Sequence, residues 1–399
     1  MKLIDTNTKN DVLRSMMHIL DRRREEIVKS NKEDLAAFGE IEGAVYDRLI
    51  VNDNKVDAMI QSVKEVMEQE DPVGQTISHR VLENGLDITN RTAPFGTIMI
   101  IYESRPDVTI EAAVLAFKAN NKIYLKGGKE ASNSNKILVE CWQEALKENN
   151  LDTSWIELLQ LNREETQEFL KNPPEKLDLI VPRGGERLIA FVKQHATGAV
   201  LVSGRGNNFL YVSKNADLET AKRVILNAKT DKISGCNALD KVLIDKNLPD
   251  YEKHLKEIGK LMKENQVEVL TDEETSKVLV GAIKIPGEDT WYEEFLAMKI
   301  VIGGVENLDE AINRINQYSG GHSASIITTE KGEALNFMEQ VDSAAVYHNA
   351  STRFTDGGQM GVGAELAIST DKLHHRGPLG LKQLVTNKYY VFGKGHIRE

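Results

Sequence analysis

From residue 8 to residue 70 the apolar positions recur every three or four residues. Val12, Met16, Ile19 and Leu20 make one stripe, and Val56, Met59, Ile60, Val63 and Met67 another, so the spacing predicts amphipathic helices. Pro72-Val73-Gly74 ends this stretch. The period then drops to two. Segments 76–82 and 86–92 alternate polar and apolar residues around Glu83-Asn84-Gly85, which predicts a β-hairpin.

A strand-then-helix unit repeats from there on. Strand 97–102 leads to helix 106–119, strand 122–125 to helix 131–147, and strand 177–181 to helix 186–195. The alternation resumes at strand 239–244 and helix 249–264. Strand 267–270, helix 307–317, strand 323–327, helix 331–340 and strand 344–347 follow. Strands alternating with longer helices imply parallel sheets covered on both faces, hence an α/β chain with two such domains. The last fifty residues are dense in glycine and end in the apolar run Tyr389-Tyr390-Val391-Phe392. Left alone this run would be an open edge strand, so it is expected to be paired.

Composition narrows the function classes. A chain of 399 residues with 41% hydrophobic and 28% charged residues reads as globular and long enough for two or three domains. Acidic residues outnumber basic ones, 61 to 50, and the net charge of −11 repels phosphate backbones, which argues against nucleic acid as a partner. No apolar run reaches spanning length, so no membrane is expected. Two cysteines and an N-terminal segment without a signal-peptide core point to the cytoplasm. His322 and His348 join no cluster of metal-ligand spacing, so no metal is expected.

Three segments carry candidate chemistry. Cys236 follows the small pair Ser234-Gly235 and precedes Asn237 and the 239–244 strand. A thiol on a loop feeding a strand is a nucleophile held by a rigid element, whereas Cys141 inside helix 131–147 reads as core. Two glycine pairs, Lys126-Gly127-Gly128-Lys129 and Arg183-Gly184-Gly185, each end a strand and open a helix. Glycine lets backbone approach a ligand and the helix N-terminus offers unpaired N–H groups, so with Lys126, Lys129 and Arg183 both suit phosphate. Two such turns on one parallel sheet suggest a nucleotide.

Several motifs together resemble the gamma-glutamyl phosphate reductase family, whose members share the aldehyde dehydrogenase fold. They are Arg91-Thr92-Ala93-Pro94-Phe95-Gly96, Tyr102-Glu103-Ser104-Arg105-Pro106-Asp107, Leu125-Lys126-Gly127-Gly128-Lys129-Glu130 and Pro182-Arg183-Gly184-Gly185. Asn227-Ala228-Lys229-Thr230 stands at the family spacing from Cys236-Asn237, and Asn349-Ala350-Ser351-Thr352-Arg353-Phe354-Thr355-Asp356-Gly357-Gly358 is the most specific block. The resemblance implies an aldehyde-dehydrogenase-like architecture of two parallel-sheet α/β domains plus a β oligomerisation arm. The implied NADP(H)-binding domain covers 1–75 and 95–231, the catalytic domain 232–355, and the arm 76–94 and 370–399, so a homo-oligomer is expected.

The resemblance also implies an activity: NADPH reduces γ-glutamyl phosphate to glutamate 5-semialdehyde with release of phosphate, the second step of proline synthesis from glutamate. Cys236 would form the thioester, with its own N–H or that of Asn237 as oxyanion donor. Lys229 would either help activate the thiol or lie on a helix surface. The family spacing from Leu308 marks Glu294, beside Glu293, as the carboxylate on the nicotinamide ribose. Arg105 and Arg353 are the candidates for substrate phosphate and carboxylate, with Asn349, Ser351 and Thr352 at the amino-acid end. His322 is a weaker candidate for substrate contact. Residues 187–216 contain no Asp or Glu where hydrolytic relatives carry a water-activating carboxylate, so phosphate rather than water is expected to be the acyl partner. The alternatives are a hydrolytic NAD(P)-dependent semialdehyde dehydrogenase, or a non-catalytic partner of the glutamate 5-kinase that makes the labile substrate; a transient contact with that kinase is compatible with the main reading too. Ile233 in place of a proline, His348 in place of an apolar residue, and the unusual 200–208 segment depart from the family pattern.

Overall fold

The computed structural model describes residues 3–38, 44–373 and 375–398, so 39–43 of the predicted helical stretch, and residues 374 and 399 of the predicted arm, lie outside the described residues. The chain forms two compact units. The first comprises 1–202, 361–367 and 379–399, the second 203–360 and 368–378.

The first unit opens with helices α1 (Thr6–Arg22), α2 (Arg24–Phe38), the short α3 (Ala44–Leu49) and α4 (Asp53–Glu68). Asp5 caps α1 by accepting the Thr8 N–H, and Asn52 caps α4 by accepting that of Lys55. Val12, Met16, Ile19, Leu20, Val56, Met59 and Val63 are buried, so the periodic stripes are the core face; Ile60 and Met67 pack at its margin. Strands β1 (Thr76–Val81) and β2 (Asp87–Pro94) form the antiparallel hairpin, with Gly85 at φ 86°. Four parallel strands follow, β3 (Thr97–Tyr102), β4 (Lys122–Lys126), β5 (Ile156–Leu158) and β6 (Leu179–Arg183), in the order β5-β4-β3-β6. Helices α5 (Asp107–Lys118) and α6 (Ser132–Glu148) cover one face with α1 and α4, and α7 (Arg163–Lys171) and α8 (Glu186–His195) the other.

Alternation along each strand builds these two layers. Ile98 and Ile100 enter the large core, while Met99 and Ile101 pack with Tyr124, Leu170 and Val192 opposite. The last strand, β16 (Val385–Phe392), pairs antiparallel with β2 over its whole length, from Val385↔Pro94 to Phe392↔Asp87. The apolar tail is thus an edge strand of a three-stranded sheet, β1-β2-β16.

The second unit is built on seven parallel strands: β7 (Asn208–Val212), β8 (Leu239–Asp245), β9 (Glu268–Thr271), β10 (Ile283–Lys284), β11 (Lys299–Val305), β12 (Ser323–Ile327) and β13 (Ala345–His348). Their order is β10-β9-β11-β8-β7-β12-β13. Leu210 and Val212 face α9 (Leu218–Thr230) and α10 (Tyr251–Glu264), while Phe209 and Tyr211 face α11 (Leu308–Tyr318) and α12 (Lys331–Gln340). A small antiparallel pair, β14 (Ile368–Ser369) and β15 (Gly377–Pro378), completes this unit.

The sequence differs from this picture in three places. The units divide between 202 and 203 rather than at 231/232, because β7 and α9 belong to the seven-stranded sheet and its cover. Residues 368–378 belong to the second unit, so within the predicted 370–399 arm segment the strand paired with β2 is 385–392. Elements β5, α7, β7, α9 and β11 were not anticipated; β7 opens on polar Asn208 and β11 contains Gly303-Gly304, both of which read as loop.

Phe117 is fully buried between Trp142 and Trp155, with ring centroids 6.0 Å from each. Phe117→Ala should therefore cost about 3–5 kcal/mol of first-unit stability. Urea unfolding followed by tryptophan fluorescence measures this, and an unchanged midpoint would contradict the packing.

Candidate active site

Cys236 lies half-buried on the turn between α9 and β8, at the N-terminal end of the strand central to the seven-stranded sheet. The turn is pinned from beneath by Asn208, which is fully buried. Its amide NH2 donates to the carbonyls of Gly206 (2.8 Å), Cys236 (2.8 Å) and Ala238 (2.6 Å), and its Oδ1 accepts the Ser323 N–H at 3.0 Å. Gly206 packs so close that a Cβ there would come within 2.0 Å of the Cys236 carbonyl oxygen, so a side chain would push the turn away.

The other side of the turn is held by the 349–355 block. The Asn237 amide donates to the carbonyls of Arg353 (3.1 Å) and Thr355 (2.9 Å), and Thr352 Oγ1 donates back to the Asn237 carbonyl at 2.7 Å. Arg353 Nε donates to Asp231 Oδ2 at 2.9 Å, and its guanidinium lies against Gly235, the residue before the thiol. A pocket of about 320 Å³ opens there, lined by Asn227, Asp231, Arg353, Phe354, Asp356 and Gln359.

The remaining candidates in this block are engaged with the backbone of the loop or its neighbours. Asn349, at φ 54°, accepts the Thr328 N–H (3.0 Å) and donates to the Thr328 carbonyl (2.9 Å). Ser351 Oγ accepts the Arg353 N–H at 3.3 Å, and Thr352 is fully buried. Asn349, Ser351 and Thr352 thus shape the loop, and Arg353 is the member of the set that lines the pocket. Lys229 does not lie on a helix surface. It is fully buried, with Nζ 2.9 Å from Asp240 Oδ1, and burial lowers its pKa against the pull of that carboxylate. Glu294 sits half-buried on the loop before β11, between Glu293 and Phe295. Cys141 is core, its thiol pushed up to about 12 by burial.

In the first unit the glycine turns sit at the C-terminal ends of β4 and β6. A Cβ on Gly127 would fall 2.1 Å from the Asn135 amide nitrogen, so this glycine serves the packing of α6 on the sheet. Lys126 donates to the Gly127 carbonyl at 3.1 Å, and Lys129 is exposed. The Glu130 carboxylate accepts the backbone N–H (2.7 Å) and the hydroxyl (2.9 Å) of Ser104. At the second turn, Gly185 caps α8 and donates its N–H to Glu103 Oε2 at 3.0 Å. An internal carboxylate is therefore already drawn to this helix N-terminus, as its partial positive charge dictates. Between the strand ends lies a pocket of about 400 Å³ whose lining includes Glu103, Ser104, Lys126, Gly128, Glu130 and Leu188. Its charged lining residues are one cation, Lys126, and two carboxylates, Glu103 and Glu130. Arg183 donates to the Leu366 carbonyl at 2.5 Å. Arg105 is half-buried, and burial, then Arg183, lowers its pKa while Asp107 opposes them.

Asn208, Gly206, Asp240 and Lys241 were missed by sequence reasoning. The available signal was Asn207-Asn208 placed directly before an apolar run, a polar pair that a strand start must bury. Among the described residues no group of three His, Cys, Asp or Glu side chains is placed to hold a metal ion, and no helix is long and apolar enough to cross a membrane.

Residues 2–284 and 285–365 match the model of the aldehyde dehydrogenase family. The gamma-glutamyl phosphate reductase of Dictyoglomus turgidum is 42% identical over 400 residues, covering 100% of this chain and 95% of that protein. The crystal structure of gamma-glutamyl phosphate reductase from Thermotoga maritima matches with a TM-score of 0.95 at 42% identity, covering 99% of this chain and 95% of that one. An acetylating aldehyde dehydrogenase from Geobacillus thermoglucosidasius shares the fold at a TM-score of 0.70 and 17% identity, over 99% of this chain and 94% of that one.

His322 is fully buried, with Nδ1 2.8 Å from Ser323 Oγ and no partner for Nε2. Burial holds the imidazole neutral and drives its pKa down to about 4. The unfolded chain binds this proton near pH 6.5, so the native state loses stability as pH falls from 6.5 toward 4, by about 3 kcal/mol in all. His322→Gln should flatten that part of the stability–pH curve, as measured by urea unfolding at stepped pH; parallel curves would refute the assignment.

Proposed function

We propose, for a chain that belongs to the aldehyde dehydrogenase family and within it to the gamma-glutamyl phosphate reductases, that Cys236 carries the acyl group as a thioester. The protein is an oxidoreductase of proline biosynthesis, reducing γ-glutamyl phosphate to glutamate 5-semialdehyde. The observation that carries the thioester reading is the half-buried thiol on a turn pinned by Asn208, Asn237 and Thr352, next to a pocket with a guanidinium.

The chemistry follows from that placement. The Cys236 sulfur attacks the acyl carbon; a C–S bond forms, the bond from acyl carbon to phosphate oxygen breaks, and phosphate leaves. The Asn237 side chain is spent on two carbonyls, so the backbone N–H of Cys236 or Asn237 is the donor for the developing oxyanion. A reduced nicotinamide, when bound, would supply hydride for the acyl carbon; the part of Cys236 is then to leave as thiolate as the C–S bond breaks and the aldehyde forms. Arg353 with Asp231 and Asp356 offers both signs of charge, which a zwitterionic amino-acid end requires. Arg105 is retained as the candidate for the phosphate.

A nicotinamide cofactor follows from the family. We assign it to the two glycine turns and Arg183, with Lys126 and Lys129 as the cations for the 2′-phosphate of NADPH and Glu294 on the nicotinamide ribose. The three-stranded sheet leaves Ile77, Val81, Tyr389, Val391 and Phe392 exposed, which supports its reading as an oligomerisation arm.

Cys236→Ser should lower turnover at least about 1,000-fold while leaving dinucleotide binding in place. Retention of more than about a tenth of the activity would rule out the thioester. Run in reverse, from glutamate 5-semialdehyde and NADP⁺, the reaction should stall without phosphate or arsenate, because residues 187–216 carry no carboxylate and the two that flank the thiol in sequence, Asp231 and Asp240, are tied to Arg353 and Lys229. Rapid NADP⁺ reduction in phosphate-free buffer would instead indicate a hydrolytic enzyme.

A further inference from the structure

Asp240 and Lys241 are consecutive residues of β8, yet both reach the same loop. A bulge makes this possible: the register between β7 and β8 runs Asn208↔Leu239 and then Phe209↔Lys241, so Asp240 has no partner on β7. A bulge re-aims the side chains beside it and is a common device next to active sites. Here Asp240 Oδ2 accepts the Phe295 N–H at 3.0 Å, and Lys241 Nζ donates to the Glu293 carbonyl at 2.8 Å. These groups belong to the two peptide units that flank Glu294, so both are held. Leu296, the next residue but one, sits at φ 48°, a conformation a leucine adopts only under constraint.

The holding groups are deep. Lys229 and Lys241 are fully buried and Asp240 is 2% exposed. Lys229 pairs with Asp240 Oδ1 at 2.9 Å, and Lys241 Nζ stands 3.9 Å from the centroid of the Phe295 ring, with Lys299 5.7 Å from the same ring. Burial drives the Lys241 pKa down to about 7; Asp240 opposes the fall, Lys229 adds to it, and Glu293 and Glu294 oppose it. Two buried lysines and one buried carboxylate stand together, of which only Lys229 and Asp240 form an ion pair, an arrangement costlier than an apolar core of the same volume. Packing alone gives no account of it.

We infer that Lys229, Asp240 and Lys241 are positioning residues that fix Glu294 relative to the Cys236 turn, through a strand that begins directly after that turn. The inference rests on Glu294 contacting the dinucleotide, as proposed above.

The test titrates NADPH into the full-length protein by fluorescence and, separately, measures alkylation of Cys236 by iodoacetamide. Lys241→Met should weaken NADPH binding about ten-fold, the size of one charge-assisted hydrogen bond, and change the alkylation rate less than about two-fold. Lys241→Arg, which keeps a donor, should recover most of the affinity. In a Glu294→Gln background, Lys241→Met should add no further loss, because both act through one contact. If Glu294→Gln weakens binding but Lys241→Met does not, the positioning role is wrong and the Glu294 reading stands. If Glu294→Gln leaves affinity unchanged, the reading fails and this inference with it. An alkylation rate that falls together with affinity would mean general loosening and would also overturn it. Should Lys241→Met not fold, hydrogen exchange on the unaltered protein decides: the Phe295 amide must exchange more slowly than that of exposed Leu296, and equal rates refute the clamp.

Discussion

The Asn208 side chain is the constraint on which the thiol's position depends. It is a buried amide at the first residue of an interior strand, and it satisfies three carbonyls and one N–H from three separate segments. An unpaired amide in such a place would cost several kcal/mol in a dry environment, about 2–7 by transfer measurements. The four groups it serves are backbone atoms of the Cys236 turn and its neighbours, so they would be orphaned with it. The turn therefore has one arrangement in which these four backbone groups are paired. The backbone that carries the Cys236 side chain is thereby held in place.

The electrostatic setting of that turn differs from the setting of the glycine turns. Gly127-Gly128 and Gly184-Gly185 stand at the C-terminal ends of parallel strands, where helix N-termini gather and anions are welcome. Cys236 precedes its strand and follows the C-terminus of α9, where carbonyls point outward and the helix dipole gives an anion no help. A guanidinium beside Gly235 compensates for that position. The two kinds of turn thus stand at opposite ends of their parallel strands, one beside the positive charge of helix N-termini and the other beside a guanidinium.

What could be read from the chain followed from periodicity and from residues with few structural uses. The long helices, the hairpin, the two α/β domains, the glycine turns and Cys236 belong to that class. The strands left unassigned in the reading were those whose polarity is satisfied internally: Asn208 reads as loop until its four partners are known. The polar residues of the 349–353 block show the same limit. A threonine that donates to Asn237 and one that would donate to a substrate are the same letter, and only the fold distinguishes them. Lys229 illustrates it again, since its partner Asp240 lies on the following strand and is aimed by a bulge that no periodicity announces.

The pairing of β16 with β2 has a bearing on how the molecule is made. Residues 87–94 leave the ribosome well before their partner, 385–392. Throughout translation one side of the hairpin displays unsatisfied backbone groups, and that open rim can recruit the same segment of a neighbouring nascent chain on the same message. Closing it waits on a loop that spans most of the chain, with Asn90 and Asn387 297 residues apart, a slow kind of contact to form. Lys382, Lys388 and Lys394 put charge on the waiting segment, the kind of residue that blunts an unpaired edge.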